Sequence, residues 1–462
     1  MRKLTCVYLA IAMTGVLTTG AMAPAYAAAT VTVNGSTKYQ TVDGFGFSQH
    51  FGRSNLIRNL SDTKEKAVLD LLLSRYTGAG LSMLRLGISS GGSSIQPTNP
   101  GGPNATPRYV WDGDDDGQVW LAKEARSYGL SHFYADAWST PGYMKNNGDE
   151  ANGGQLCGLS GTSCSSGDWR RAYANYLVQY TKFYAQEGIK INDLAFTNEP
   201  NYTTSYASMR FTPAQAVEYT KILGPIAHNA GLKVACCDAV SWPGQKNYTN
   251  AIEADSTARA QVDIHTGHSY GGQPTEPLAT SKPTWMSEWS PSGTTWNEAW
   301  DDGSGYDGFT VANAINTAFT AGGVSGYLYW YGASAGATRG FIQIEGDNYR
   351  VSKRLWAMAN YSRFIRPGAG RIGATTSAAS LKTSAFRNTD GSVVVVALNT
   401  ATSSNQLSFS VANVGFTAGS VTPYLTNGSN NTAAQSPISL TNSAFQATVP
   451  ARSLVTYVVK RP

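Results

Sequence analysis

Charge is scarce in this chain. Only 14% of its 462 residues are Asp, Glu, Lys or Arg, and only five are histidines. The formal net charge of +5 is spread along the chain with no basic run, which removes the electrostatic footprint of a nucleic-acid partner. After the N-terminus no segment is apolar for long enough to cross a bilayer. Cysteine is scarce too, at five residues, and none has a zinc-ligand spacing. No metal and no cofactor is therefore expected.

Glycine, with 48 residues, and tyrosine, with 25, are plentiful. An uncharged, turn-rich surface with many aromatic rings suits a neutral polymer as partner. At the N-terminus Arg2 and Lys3 precede an apolar run from Leu4 to Leu17, and Ala25-Tyr26-Ala27 offers small residues at the positions that a signal peptidase accepts. A secreted, monomeric product is expected, with residues 1–27 as its leader. Cys6 leaves with that leader. Cys157 and Cys164 sit in a Gly/Ser-rich loop and are expected to form a disulfide in an oxidising compartment. Adjacent Cys236 and Cys237, in "LKVACCDAV", read as small buried thiols.

From Val42 to about Phe364 strand-like and helix-like stretches alternate. Eight strands are expected, at 42–47, 82–86, 132–138, 194–197, 233–237, 262–266, 284–287 and 326–330. Helical signals lie between them. Thr212-Pro213-Ala214-Gln215 is a capping box with proline in the first turn. Tyr173, Tyr176, Leu177, Tyr180, Phe183 and Tyr184 repeat at helical spacing and read as an inward packing face. Eight alternating units predict an α/β fold, a (β/α)8 barrel, whose site lies at the carboxyl ends of the strands. After "YSRFIRPG" the pattern changes to short alternating strands, which predict a side β-sandwich. The expected division is residues 28–40 as a strand joining the sandwich, 41–366 as the barrel and 367–462 as the sandwich.

In so uncharged a chain, a glutamate at the end of an apolar strand is conspicuous. Glu199 ends the fourth strand in "LAFTNEPN", and Glu288 ends the seventh in "TWMSEWS". The barrel makes such residues neighbours across one rim. Two facing carboxylates suit glycoside hydrolysis, in which one protonates the leaving oxygen and the other attacks the anomeric carbon. Asn198 is placed to donate to a sugar 2-hydroxyl, Tyr270 to hydrogen-bond the nucleophile and His268 to support the acid. Arg85, in "MLRLG", reads as a buried cation holding Glu288 ionised. Trp138 and Trp330, each at a strand end, read as flat faces for sugar rings. "DGDDDG" from Asp112 begins like a calcium loop, but its twelfth position is Lys123 where a glutamate is required. It reads as an acidic lead into a helix.

The stretches "VDGFGFSQHFGR", "WSTPGYMKNNG", "TNEPN", "SEWS", "YLYWYG" and "YSRFIRPG" together resemble glycoside hydrolase family 30, within the clan of retaining (β/α)8 glycosidases. The resemblance spans nearly all of the mature chain. It implies Glu199 as acid/base, Glu288 as nucleophile and a sandwich built from both chain ends. "QTVDGFGFSQHFGRSN" and "VACCDAVSW" look most like the fungal-type xylanases of the family, which implies β-1,4-xylan, often glucuronoxylan, as substrate. The bacterial glucuronoxylanases of the family carry an arginine-rich clamp after the eighth strand. Here that loop reads "YGASAGATRGFIQIEG" and lacks it. Arg53 and Arg339 are the candidates for meeting a uronate carboxylate. The competing expectations are another family specificity (xylobiohydrolase, endo-β-1,6-galactanase or β-glucosidase) and a non-catalytic carbohydrate-binding protein.

Overall fold

In the computed structural model, residues 29–88, 94–291, 293–336 and 340–462 are described, together with Met1. The rest of the expected leader and Arg339 lie outside them. Among the described residues no helix is long and apolar enough to cross a membrane.

Eight parallel strands close into a barrel: Gly44–Ser48, Met83–Ile88, His132–Ala137, Asp193–Ala195, Lys233–Ala239, Ile264–His268, Thr284–Trp289 and Gly326–Ser334. The eighth strand pairs with both the first and the seventh, so no edge is left in the ring. It runs four residues beyond its expected end, because Gly340–Glu345 adds alongside it outside the ring. The fourth strand is shorter than expected and stops at Ala195, which frees residues 196–199 to turn across the barrel mouth. The sixth begins two residues later than expected and carries His268 inside the strand.

The inside of the barrel is layered, because residues two apart on a strand share a face. Met83, Tyr134, Ala195, Ala235, Ile264, Trp285 and Leu328 form one apolar cluster. Two residues further up the same strands stand Arg85, Asp136, Thr266 and Ser287, all fully buried. The apolar layer excludes water from below, and polar groups meet above it at the end where the loops are.

Outside the ring, the helix Arg170–Gln186 buries Tyr173, Tyr176, Leu177, Tyr180 and Tyr184, as its spacing predicts. Thr212 and Gln215 cap the helix Pro213–Asn229 reciprocally. Asp115, within the calcium-like "DGDDDG", is 1% exposed and accepts the hydroxyls of Tyr180 and Tyr184 at 2.6 and 2.7 Å. That carboxylate is committed to packing the helix against the barrel.

The second sheet holds the chain's C-terminal strands and its N-terminal one. Ala29–Thr41 pairs antiparallel with Gly370–Thr376 and parallel with Asn405–Ala412. Val31 and Val33 enter its core beside Phe409 and Tyr457. The helix Lys353–Ser362 ties this sheet to the barrel. Its Asn360 amide donates to the Tyr424 carbonyl at 3.1 Å and to the Thr456 hydroxyl at 3.0 Å.

Cys157 and Cys164 form the expected disulfide. Cys236 and Cys237 are also joined, across a cis peptide. The sequence left the pairing of these two open, with buried thiols as the plain reading.

Candidate active site

Glu199 and Glu288 meet at the carboxyl end of the barrel. One oxygen of each and a ring nitrogen of His268 all lie within 4.8 Å of one another. Both carboxylates are nearly buried, with Glu199 8% and Glu288 4% exposed.

Backbone geometry places the first. Glu199 has φ +48° and Asp238, at the end of the next strand, φ +54°. Neither is a glycine, so both turns carry steric cost, a condition that concentrates at functional sites. They hold each other: the Glu199 N–H donates to the Asp238 carbonyl at 2.9 Å. A register irregularity places the second. Ser287 and Glu288 are consecutive, and strict alternation would send one of them outward. The sixth and seventh strands slip register between Gly267 and His268, and a slip of this kind re-aims side chains. Ser287 reaches Asp238 while Glu288 reaches Arg85 and Tyr270.

The environments of the two carboxylates differ. Glu288 accepts from Arg85 Nη1 on one oxygen and from the Tyr270 hydroxyl at 2.9 Å on the other. Burial pushes its pKa up and the charge of Glu199 adds to that, while His268 and Arg85 pull it down. Glu199 takes a bond from His268 Nδ1 at 3.0 Å. Arg85 also donates through Nη2 to Asp136 and, at 2.7 Å, to Oδ1 of the Asn198 side chain. That bond fixes the Asn198 amide with its NH2 turned away from the guanidinium. Burial works against the Arg85 charge, but Glu288, Asp136 and Asp238 push its pKa further above the usual arginine range.

Beneath the pair lies a carboxylate that sequence reasoning missed. Asp238 is fully buried and accepts from Tyr134, from Thr266 at 2.7 Å and from Ser287. Its Oδ1 lies 3.3 Å from His268 Nε2. Burial would raise Asp238, yet the bond from His268 and the charge of Arg85 hold it down at about 2. Asp136 goes the other way, with burial and the charge of Asp238 pushing it well above the usual carboxylate range. Burial would likewise depress the imidazole of His268, but the charge of Glu288 and the bonds to Asp238 and Glu199 push it up to about 10. His268 is thus an imidazolium at neutral pH, donating through both nitrogens. The sequence signal for Asp136 and Asp238 was the one that marked Glu199: an acid inside an apolar strand.

By spacing, Glu199, His268 and Glu288 could ligate a metal. Arg85 already occupies the Glu288 oxygen facing them, and its charge opposes a second cation there.

The aromatic residues divide. Trp138 is 2% and Trp330 9% exposed, as deeply set as the two glutamates. The Arg85 guanidinium lies 4.7 Å over the Trp138 ring, and His50 packs against both tryptophans. Tyr270, by contrast, is 39% exposed. Tyr206, also missed, is half exposed, and the charges of both glutamates act on its hydroxyl. Arg53 is half-buried with its guanidinium 4.2 Å over the Tyr331 ring. Its hydrogen bond goes to the Phe51 carbonyl at 3.4 Å, and no carboxylate lies within 4 Å among the described residues. Its charge is available at the first strand's end of the cleft.

Two family models match the chain: "O-Glycosyl hydrolase family 30" over residues 28–266 and "Glycosyl hydrolase family 30 beta sandwich domain" over residues 368–457. The solved catalytic domain of the GH30 xylanase C from Talaromyces cellulolyticus is 41% identical, with a TM-score of 0.88, over 93% of this chain and 100% of that one. The GH30 subfamily 8 xylanase Xyn30A of Clostridium acetobutylicum is 27% identical, with a TM-score of 0.73, over 93% of this chain and 99% of that one. The glucuronoxylanase XynC of Bacillus subtilis is 27% identical over 94% of this chain and 93% of its own length.

Proposed function

The chain belongs to glycoside hydrolase family 30 and is a glycoside hydrolase of xylanase type; from that premise we propose that it is a secreted endo-β-1,4-xylanase that cleaves glucuronoxylan with retention of configuration. The observation that carries the mechanism is the short separation of Glu199 and Glu288, with oxygens within 4.8 Å. Retaining glycosidases hold their carboxyl groups about 5–5.5 Å apart, whereas inverting ones leave room for a water between them.

The roles follow from the two environments. Glu288, with Arg85 and Tyr270 donating to it, is the nucleophile. Its carboxylate oxygen attacks the anomeric carbon while the glycosidic C–O bond breaks. The Glu199 proton goes to the departing oxygen. In the second step Glu199 takes a proton from water, the new oxygen bonds to the anomeric carbon and the Glu288 ester bond breaks. Asn198, fixed by Arg85, turns its NH2 to the 2-hydroxyl, where a bond strengthens as positive charge develops on the ring.

Arg53 is the cation we assign to the uronate side group. Its guanidinium is held by a ring face with no carboxylate within 4 Å among the described residues, and the forked donor set matches a carboxylate. Secretion rests on Arg2, Lys3, the apolar run after them and Ala25-Tyr26-Ala27. It predicts a mature N-terminus near Ala28 in protein recovered from the medium.

The test is digestion of glucuronoxylan followed by proton NMR of the first product and mass spectrometry of the set. The β-anomer appearing first, with uronate at a fixed place in the products, is the expected result. Initial release of the α-anomer would overturn retention. Xylobiose alone would mean xylobiohydrolase action, and cleavage of β-1,6-galactan or a β-glucoside in place of xylan would move the chain to another specificity of the family.

A further inference from the structure

Behind the loop that carries Glu199 is a second cavity, of about 240 Å³, to which neither glutamate contributes. It is bounded by the loop after the fourth strand, by Gln155 beside the Cys157–Cys164 disulfide and by the helix Trp242–Ala254. The volume is below the roughly 300–1,000 Å³ of pockets that enclose drug-sized ligands, so it has room for one ring.

Its lining combines aromatic walls, amide groups and one guanidinium. Phe211 and Tyr248 form buried walls, and the Tyr248 hydroxyl is committed to the Phe211 carbonyl at 2.7 Å. Arg210 is exposed at the opening, with one bond from Nη1 to the Thr203 hydroxyl at 3.2 Å. Among the described residues no carboxylate lies within 4 Å of it. Asn201 and Asn247 add amide groups on either side.

The loop is held rigid before any ligand arrives. Lys145, itself buried, donates to the Ser208 carbonyl at 2.7 Å. The Asn152 N–H donates to the Thr204 carbonyl and the Arg210 N–H to the Gly154 carbonyl, at 2.9 and 2.7 Å. A loop whose backbone is already fixed loses less freedom on meeting a ligand.

Position gives the occupant. Asn201 follows Glu199 by two residues, so its Cα lies within roughly 7–8 Å of that of Glu199. Glu199 delivers its proton to the departing oxygen, so the sugars nearest this loop belong to the leaving part of the polymer. We propose that this cavity binds a uronate side group on the leaving-group side of the cut, with Arg210 meeting its carboxylate. The inference rests on the glucuronoxylan reading. It adds a second acidic-sugar site, distinct from Arg53, which lies at the end of the first strand.

The test uses protein from a host that does not glycosylate, because Asn201-Tyr202-Thr203 and Asn247-Tyr248-Thr249 are both sequons. Wild type, Arg210→Gln and Arg210→Lys are compared on glucuronoxylan and on unsubstituted xylan. R210Q is expected to lower kcat/KM on glucuronoxylan about tenfold, the worth of one hydrogen bond to a charged group, while leaving unsubstituted xylan and Tm unchanged. R210K is expected to recover part of the loss, since a point charge replaces a fork. In the mass spectrum, leaving-side fragments from the wild type carry uronate at one distance from their new non-reducing end, and R210Q scatters that distance. Equal activities of wild type and R210Q on glucuronoxylan, or an equal loss on both polymers, would overturn the proposal. Failure of the glucuronoxylan reading would show separately, as a wild type with no preference between the two substrates.

Discussion

Oδ1 of Asp238 lies 3.3 Å from Nε2 of His268, so a buried aspartate fixes the ring whose other nitrogen orients Glu199 at 3.0 Å. The arrangement sets a proton-handling carboxylate on two further residues from neighbouring strands. Asp238→Asn keeps the shape but removes the charge that His268 and Arg85 face. It is expected to destabilise the fold by about 3–5 kcal/mol, the cost of breaking a buried pair, and to lower kcat even where the protein stays folded. Thermal melts and kcat measured at the same temperature check both.

His268 gives a stability signature in the alkaline range. Its folded pKa of about 10 stands above the ordinary histidine value of about 6.5. The stabilisation from its charge is therefore complete below about pH 6.5 and fades as pH rises towards 10. Wild type should lose Tm across this window by an amount absent from His268→Gln. Parallel Tm–pH curves would contradict the assigned charge.

For the catalytic pair, Glu288→Gln should abolish turnover while leaving xylan binding largely intact, because the nucleophile is gone and the cleft is not. Glu199→Gln should cost about 10²–10⁴-fold, the usual worth of general acid–base catalysis. It should retain more activity on aryl xylosides, whose good leaving groups need no proton. Kinetics on xylan and on a dinitrophenyl xyloside would separate the roles, and reversed sensitivities would exchange them.

Glu288 must be ionised to attack, and burial raises its pKa. The acid limb of kcat/KM should therefore lie above the ordinary glutamate value of about 4.3. The charges of Arg85 and His268 restrain that rise, so His268→Gln should move the limb further up in pH. A pH–rate profile of both proteins reads this directly, and a limb at or below 4.3 would assign it to a different group.

Arg53→Gln should reduce kcat/KM on glucuronoxylan by tenfold or more, the range for a hydrogen bond to a charged group, with little change on unsubstituted xylan. Mass spectra of its products should lose a fixed uronate position. Unchanged spectra would exclude Arg53 as the reader.

Much of this was legible from local pattern. The closed barrel and the side sheet follow from period-2 and period-3.6 repeats and their order. Glu199 and Glu288 stood out because a chain with so few charges places acids at two apolar strand ends. Asn198, His268 and Tyr270 were nameable because they too end strands or follow them, and Arg85 because it is a lone cation in an apolar strand. Asp136 and Asp238 carried the same signal and were passed over, since inside a strand an acid gives no hint of its partners. That Trp138 lies under the Arg85 guanidinium had no sequence signal, because an aromatic residue looks alike in sequence whatever its face meets.

The sequence by itself determined which elements form, because periodicity, caps and turn residues act over a few positions. It also determined which charges are worth burying, because each is rare. Only the tertiary structure decided where those charges point. The positive-φ turns at Glu199 and Asp238, the register slip that brings Ser287 and Glu288 inward together, and the shared hold of Arg85 on Glu288, Asp136 and Asn198 join residues from different strands. Their energies depend on distances of a few ångströms in a buried space, and no local pattern encodes those.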